Sequence, residues 1–183
     1  MCTDGKLTDD AGRILAELNT AKCDAIVQYL SGVNEPAVVF ARWDYMVNDL
    51  ANVLQRLQPR GNSESVSVLR GGADYNTEIE RFRSGISKYL VANSGISQGM
   101  NLQERASIVV FASWSTKPTD REQAIGRVWR PGQKKGVVVV DVIAEDTLDL
   151  PTVELLDRHK DRNEAFIESA LAEEFRKQVG RVG

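Results

Sequence analysis

Soft metal ligands are scarce in this chain: two cysteines, Cys2 and Cys23, and one histidine, His159. With no Cys-x-x-Cys pair, that count rules out a Cys/His zinc site. No apolar run approaches the roughly 18 residues that a membrane-spanning helix needs. The opening Met1-Cys2-Thr3-Asp4-Gly5-Lys6 lacks the apolar centre of a signal peptide. These absences predict a cytoplasmic protein with no membrane partner. An excess of one charge sign is also missing, since 23 Lys+Arg stand against 26 Asp+Glu for a net charge of −3. Taken alone, that mildly acidic total counts weakly against nucleic acid as a partner. The rest is ordinary for a globular protein: 183 residues, 42% hydrophobic and 27% charged. Such a chain can bury a core without disulfides or a structural metal. It reads as one domain over residues 1–183, with a core at roughly 20–150 and a C-terminal helix over 151–178.

Short β-branched runs at residues 37–41, 66–69, 88–92, 108–112 and 137–143 are the strand candidates. Most are continuously apolar, as strands buried on both faces are. Between them, Met46, Leu50, Val53, Leu54 and Leu57 fall at helical spacing, as do Cys23, Ile26, Val27 and Leu30, and Ile79 with Phe82. Ile14, Leu15 and Leu18 predict a further helix beginning near Ala11. Alternating helices and buried strands imply an α/β domain with a doubly wound parallel sheet. Ligands in such sheets sit at the carboxyl ends of the strands.

Residues 117–135 hold six basic side chains against two acidic ones, a local excess of +4 within an acidic chain. Residues 144–183 hold ten acidic and six basic ones, a balance of −4. Segregated charge of this kind is the footprint of an anionic partner. Thr119 with Glu122 reads as a capping box, and Pro131 as the end of a helix near Arg130. Gln123, Arg127 and Arg130, spaced +4 and +3, then share one helical face. Planar, permanently charged guanidinium groups suit a polyphosphate. The competing reading is a surface arginine pair on an exposed helix turn. Trp43 and Trp129 read as packing residues.

The pattern Gln123-Ala124-x-Gly126-Arg127-x-x-Arg130-x-Gly132-Gln133 resembles motif VI of the Swi/Snf-type ATPases, a branch of helicase superfamily two. Residues 92–103, a small-residue loop ending Gly99-Met100-Asn101-Leu102, are similar to motif V. Residues 36–43 resemble motif IV, and Leu69-Arg70-Gly71-Gly72 falls where the family ends a strand in a glycine-containing turn. Thr147-Leu148-Asp149, with the helix from Pro151, resembles the brace of bacterial and phage members. The likeness covers about residues 20–175, in the family's motif order. Gly126 stands where Swi/Snf remodellers usually have Asp.

The resemblance implies a RecA-like three-layer α/β/α lobe with a C-terminal brace helix, the second of two lobes. No G-x-x-x-x-G-K-[ST] pattern occurs in the chain. ATP with Mg is therefore expected only in the presence of an N-terminal P-loop lobe, and this chain alone is expected to be inactive. Arg127 and Arg130 map onto arginine fingers. Gln123, Gly99 and Asn101 map onto nucleotide-linked positions. The implied nucleic-acid contacts are Arg42, Arg70, Gly71, Gly72, Ser94, Ser97 and, as a groove-inserting tryptophan, Trp114; packing against the motif VI helix is the alternative for Trp114. Double-stranded DNA is the implied partner and a monomer the implied state.

Two other readings stand beside this one. The lobe could be a non-catalytic module for nucleic acid or protein. Alternatively, Gly95-x-Ser97-x-Gly99 fits a nucleophile elbow, with Asp141 and His159 following in the order of a serine hydrolase.

Overall fold

A computed structural model describes residues 6–8, 14–17, 20–57, 65–96, 100–158 and 171–173. The chain order is β1 (Lys6–Thr8), β2 (Ile14–Glu17), α1 (Ala21–Ser31), β3 (Ala37–Ala41), α2 (Asp44–Arg56), β4 (Val66–Leu69) and α3 (Tyr75–Ser84). It continues with β5 (Tyr89–Asn93), a 3-10 turn (Ser94–Ile96), β6 (Ile108–Phe111), α4 (Pro118–Ile125), β7 (Val138–Asp141) and α5 (Asp149–Arg158). Every predicted sheet strand forms, within two residues of its expected ends. The five pair in the order β4-β5-β3-β6-β7, and all their pairings are parallel.

The apolar runs are continuous because both faces of the sheet are covered. Val38, Phe40, Leu90, Ala92, Val109 and Phe111 point into one core, shared with Phe82 of α3, Ala124 of α4 and Leu156 of α5. The alternate residues Ala37, Val39, Tyr89, Val91, Ile108 and Val110 point into a second core, closed by α1 and α2. Phe40 and Phe111 stack with ring centroids 5.6 Å apart. Each large side chain taken fully from water contributes about 1.5–3 kcal/mol, so these two layers dominate the stability. The architecture is the RecA-like α/β fold, three layers deep.

The β4 edge of the sheet is blocked by a charge. Glu78 accepts the outward N–H of Val68 at 3.0 Å and is itself held by Arg81 at 3.0 Å, which leaves that donor unavailable to another chain.

Several local expectations change. Ile14–Glu17 is a strand paired antiparallel with Lys6–Thr8; three apolar residues are too few to define a period, and cross-strand hydrogen bonds decide. In α2, Val47 is buried while Leu57 is 36% exposed, because the helix ends at Arg56. The capping box at Thr119 does not form. Lys117 is the N-cap and Pro118 opens α4, a position where a missing N–H costs nothing. That helix stops at Ile125, well before Arg130, and continues as turns closed by Trp129 N–H donating to Ile125 O at 2.8 Å. The C-terminal helix begins at Asp149, and residues 171–173 are helical; the rest of the predicted span beyond Arg158 lies outside the described residues.

Candidate functional site

Because α4 ends early, Gln123, Arg127 and Arg130 do not share a helical face. The turn after α4 brings the two arginines together with the motif V segment instead. Leu102 N–H donates to Arg127 O at 3.0 Å, and Arg130 Nη1 donates to Asn101 Oδ1 at 2.7 Å. Gln133 pins the far side of the turn, its Nε2 donating to Ala106 O at 2.8 Å and to Val128 O at 3.3 Å. Gly132 makes that return possible with φ of +102°, a conformation that side chains disfavour. Arg127 is half-buried, and its Nε has no hydrogen-bond partner among the described residues. An unsatisfied buried guanidinium N–H is costly unless an anion completes it. Gln123 is exposed on α4. Gly99 and Ser97 lie outside the described residues.

A second group gathers at the carboxyl ends of the strands. Asn93, the last residue of β5, donates from Nδ2 to Arg42 O at 3.0 Å and to Asp44 Oδ1 at 2.7 Å. The Arg42 amide donates to Ser113 Oγ at 2.9 Å, and its guanidinium lies 4.7 Å from the centre of the Trp43 ring. Arg70, Gly71 and Gly72 are exposed after β4. Gly72 has φ of +82°, with no atom within 4 Å of where a Cβ would stand, so its backbone is open to close approach. Ser94 is buried, and its Oγ has no partner among the described residues. Tyr75 borders this group; burial first, and then the Asp44 charge, push its phenol above the ordinary value. The structure thus assembles Arg42, Arg70, Gly71, Gly72 and Ser94 at one end of the sheet, as a doubly wound fold requires.

Packing, the alternative given for Trp114, is what the structure shows there, whereas the packing expected of Trp43 and Trp129 is absent. Trp114 is 5% exposed, its indole N–H donates to Asp141 Oδ1 at 2.8 Å, and Lys22 Nζ sits 5.2 Å from its ring centre. It packs in the core and presents nothing to a groove. Trp43 and Trp129 are 41% and 73% exposed and are not packing residues. Arg121 leaves the basic surface as well, donating to Asp141 Oδ2 at 2.6 Å. Both oxygens of Asp141 are therefore taken, without a histidine; His159 and Ser97 of the hydrolase reading lie outside the described residues. Among the described residues, no three of His, Cys, Asp and Glu cluster as metal ligands do, and no helix is long and apolar enough to cross a membrane.

Residues 21–132, more than half of the chain, match the family of the helicase conserved C-terminal domain. The chain belongs to that family. This helicase C-terminal domain is similar to eukaryotic initiation factor 4A of Caenorhabditis elegans, 27% identical over 139 residues, covering 73% of this chain and 32% of that protein. It is also similar to the putative helicase 172L of Invertebrate iridescent virus 6, 33% identical over 134 residues, covering 72% of this chain and 22% of that protein. The domain thus spans a third or less of these relatives. Among solved structures, the C-terminal part of the Fun30 ATPase domain aligns with a TM-score of 0.69 at 21% identity, over 84% of this chain and 52% of that one. The C-terminal domain of the DEAD-box protein Dbp5 aligns with a TM-score of 0.62 at 21% identity, over 78% and 80%. At such identities the structural likeness shows the fold alone, the RecA-like α/β fold of helicase C-terminal domains.

Proposed function

We propose that this domain is the second lobe of a nucleic-acid-dependent ATPase, supplying Arg127 and Arg130 to an ATP site shared with a P-loop lobe. The observation that carries this reading is the turn after α4. It brings together Arg127, whose backbone carbonyl accepts from Leu102 N–H, and Arg130, anchored on Asn101, inside a family-matched segment. As water attacks the γ-phosphorus, charge builds on the equatorial and leaving oxygens. Two cations brought to that point, one of them already oriented by Asn101, would stabilise it. The magnesium that accompanies ATP would be held by the P-loop lobe. The strand-end group of Arg42, Arg70, Gly71, Gly72 and Ser94 would grip a phosphate backbone without reading sequence, a role we propose for Ser97 as well.

Within superfamily two we place the domain in the Swi/Snf branch, acting as a monomer on double-stranded DNA. The support is the motif V and VI pattern, with the Gly132-Gln133 pair that closes the turn onto Ala106. The alternative partner is RNA, favoured by 28% identity over 123 residues to a protein named ATP-dependent RNA helicase eIF4A from Chaetomium globosum. In the two-lobe protein, duplex DNA should stimulate ATP turnover and single-stranded RNA should not; the reverse would transfer the domain to the RNA branch. Arg127→Ala should lower kcat by about 10³-fold with an unchanged Tm. Full turnover in both Arg127→Ala and Arg130→Ala would remove the finger assignment.

A further inference from the structure

Trp129 stands out among the described large apolar residues with 73% exposure. Its backbone is not loose: its N–H bonds to Ile125 O at 2.8 Å, and the preceding Val128 is fully buried. The indole is thus presented to solvent by an ordered turn. Arg130 follows it directly, and Lys134 and Lys135 are exposed on the same segment. An exposed aromatic face beside an anchored arginine and further exposed cations is the chemistry that receives a base with its phosphates.

We propose that Trp129 stacks on the purine base of the nucleotide whose phosphates Arg127 and Arg130 engage. This rests on the nucleotide reading of that turn. The placement favours the nucleotide over a base of the nucleic-acid strand. Through Gln133, the turn packs on Ala106, just before the amino end of β6. The strand-end group, which includes Ser113 bonded to Arg42, lies at the opposite end of that strand. Trp129 and the candidate phosphate-backbone contacts therefore sit at different ends of the sheet.

The test is steady-state kinetics of the two-lobe protein with ATP and with UTP, whose smaller base stacks less. Trp129→Ala should raise KM for ATP about tenfold, the lower part of the range for losing one base–aromatic stack. It should leave kcat within about twofold and Tm unchanged, and change KM for UTP much less; Trp129→Phe should recover KM for ATP. An unchanged KM for ATP overturns the proposal. So does a higher nucleic-acid concentration for half-maximal stimulation at constant KM, which would assign the stack to the strand. A fall in kcat alone overturns it too, and would mark a contact used in lobe closure. The arginine variants separate the two readings. If Arg127→Ala collapses kcat and Trp129→Ala does nothing, only the stacking fails. If both arginine variants turn over normally while Trp129→Ala raises KM, only the finger assignment fails.

Discussion

Arg130 and Asn101, 29 residues apart in sequence, are joined by a 2.7 Å hydrogen bond from Nη1 to Oδ1. A neutral amide oxygen orients the guanidinium without cancelling its charge, which leaves the cation free to meet an anion. Asn101→Ala should therefore lower kcat of the two-lobe protein about tenfold, less than loss of the arginine itself. The double variant should be no slower than Arg130→Ala alone. Additive losses would show that the two side chains act separately.

Lys22, 6% exposed, pairs with Asp149, 2% exposed, at 2.5 Å and also donates to Ala112 O at 3.0 Å. This pair ties the start of α1 to the start of α5. Lys22→Met strands a buried carboxylate and should cost about 3 kcal/mol in urea unfolding. Lys22→Met with Asp149→Leu should regain most of it. A single variant as stable as the parent would mean that water reaches Asp149.

Trp114→Phe removes the donor to Asp141 Oδ1 while Arg121 stays on Oδ2. Stability should fall by about 1–2 kcal/mol, and the salt dependence of nucleic-acid binding should not change. Weaker binding at full stability would instead restore the strand-contact role for Trp114.

Asp74 caps α3, accepting from Thr77 Oγ1 at 2.8 Å and from Thr77 N–H at 3.3 Å. The hydroxyl first, and then the amide, hold its carboxyl below the ordinary range. A lowered pKa means the charged cap stabilises fully above the ordinary carboxylate value and fades as pH falls through the folded-state value. Asp74→Ala should lower Tm near neutral pH, and the gap from the parent should close in acid. A gap independent of pH would show that the charge plays no part.

The sheet was legible because its strands are continuous apolar runs; burial on both faces accounts for that mark in β3, β5 and β6, whereas β7, at the sheet edge, carries it although it is partly exposed. Membership of a helicase C-terminal family was legible as well, since the strings that suggested it are local and fall mostly within residues 21–132. Where three apolar residues stood for a helix, at Ile14, Leu15 and Leu18, the pattern was too short, and pairing with β1 chose the strand. At Thr119 a good capping string lost to Pro118, whose fixed φ already suits a helix start.

From sequence alone came the α/β class, the strands and the arginine pair at the centre of the candidate site. The tertiary structure alone decided which charges and aromatics reach the surface. Asp141 draws Arg121 and Trp114 inward, across 20 and 27 residues, whereas Trp129 is turned out beside Arg130. Local spacing records the average environment of a helix or strand. Whether one cation or one indole is satisfied depends on a partner supplied by a distant segment, and only the folded chain brings the two together.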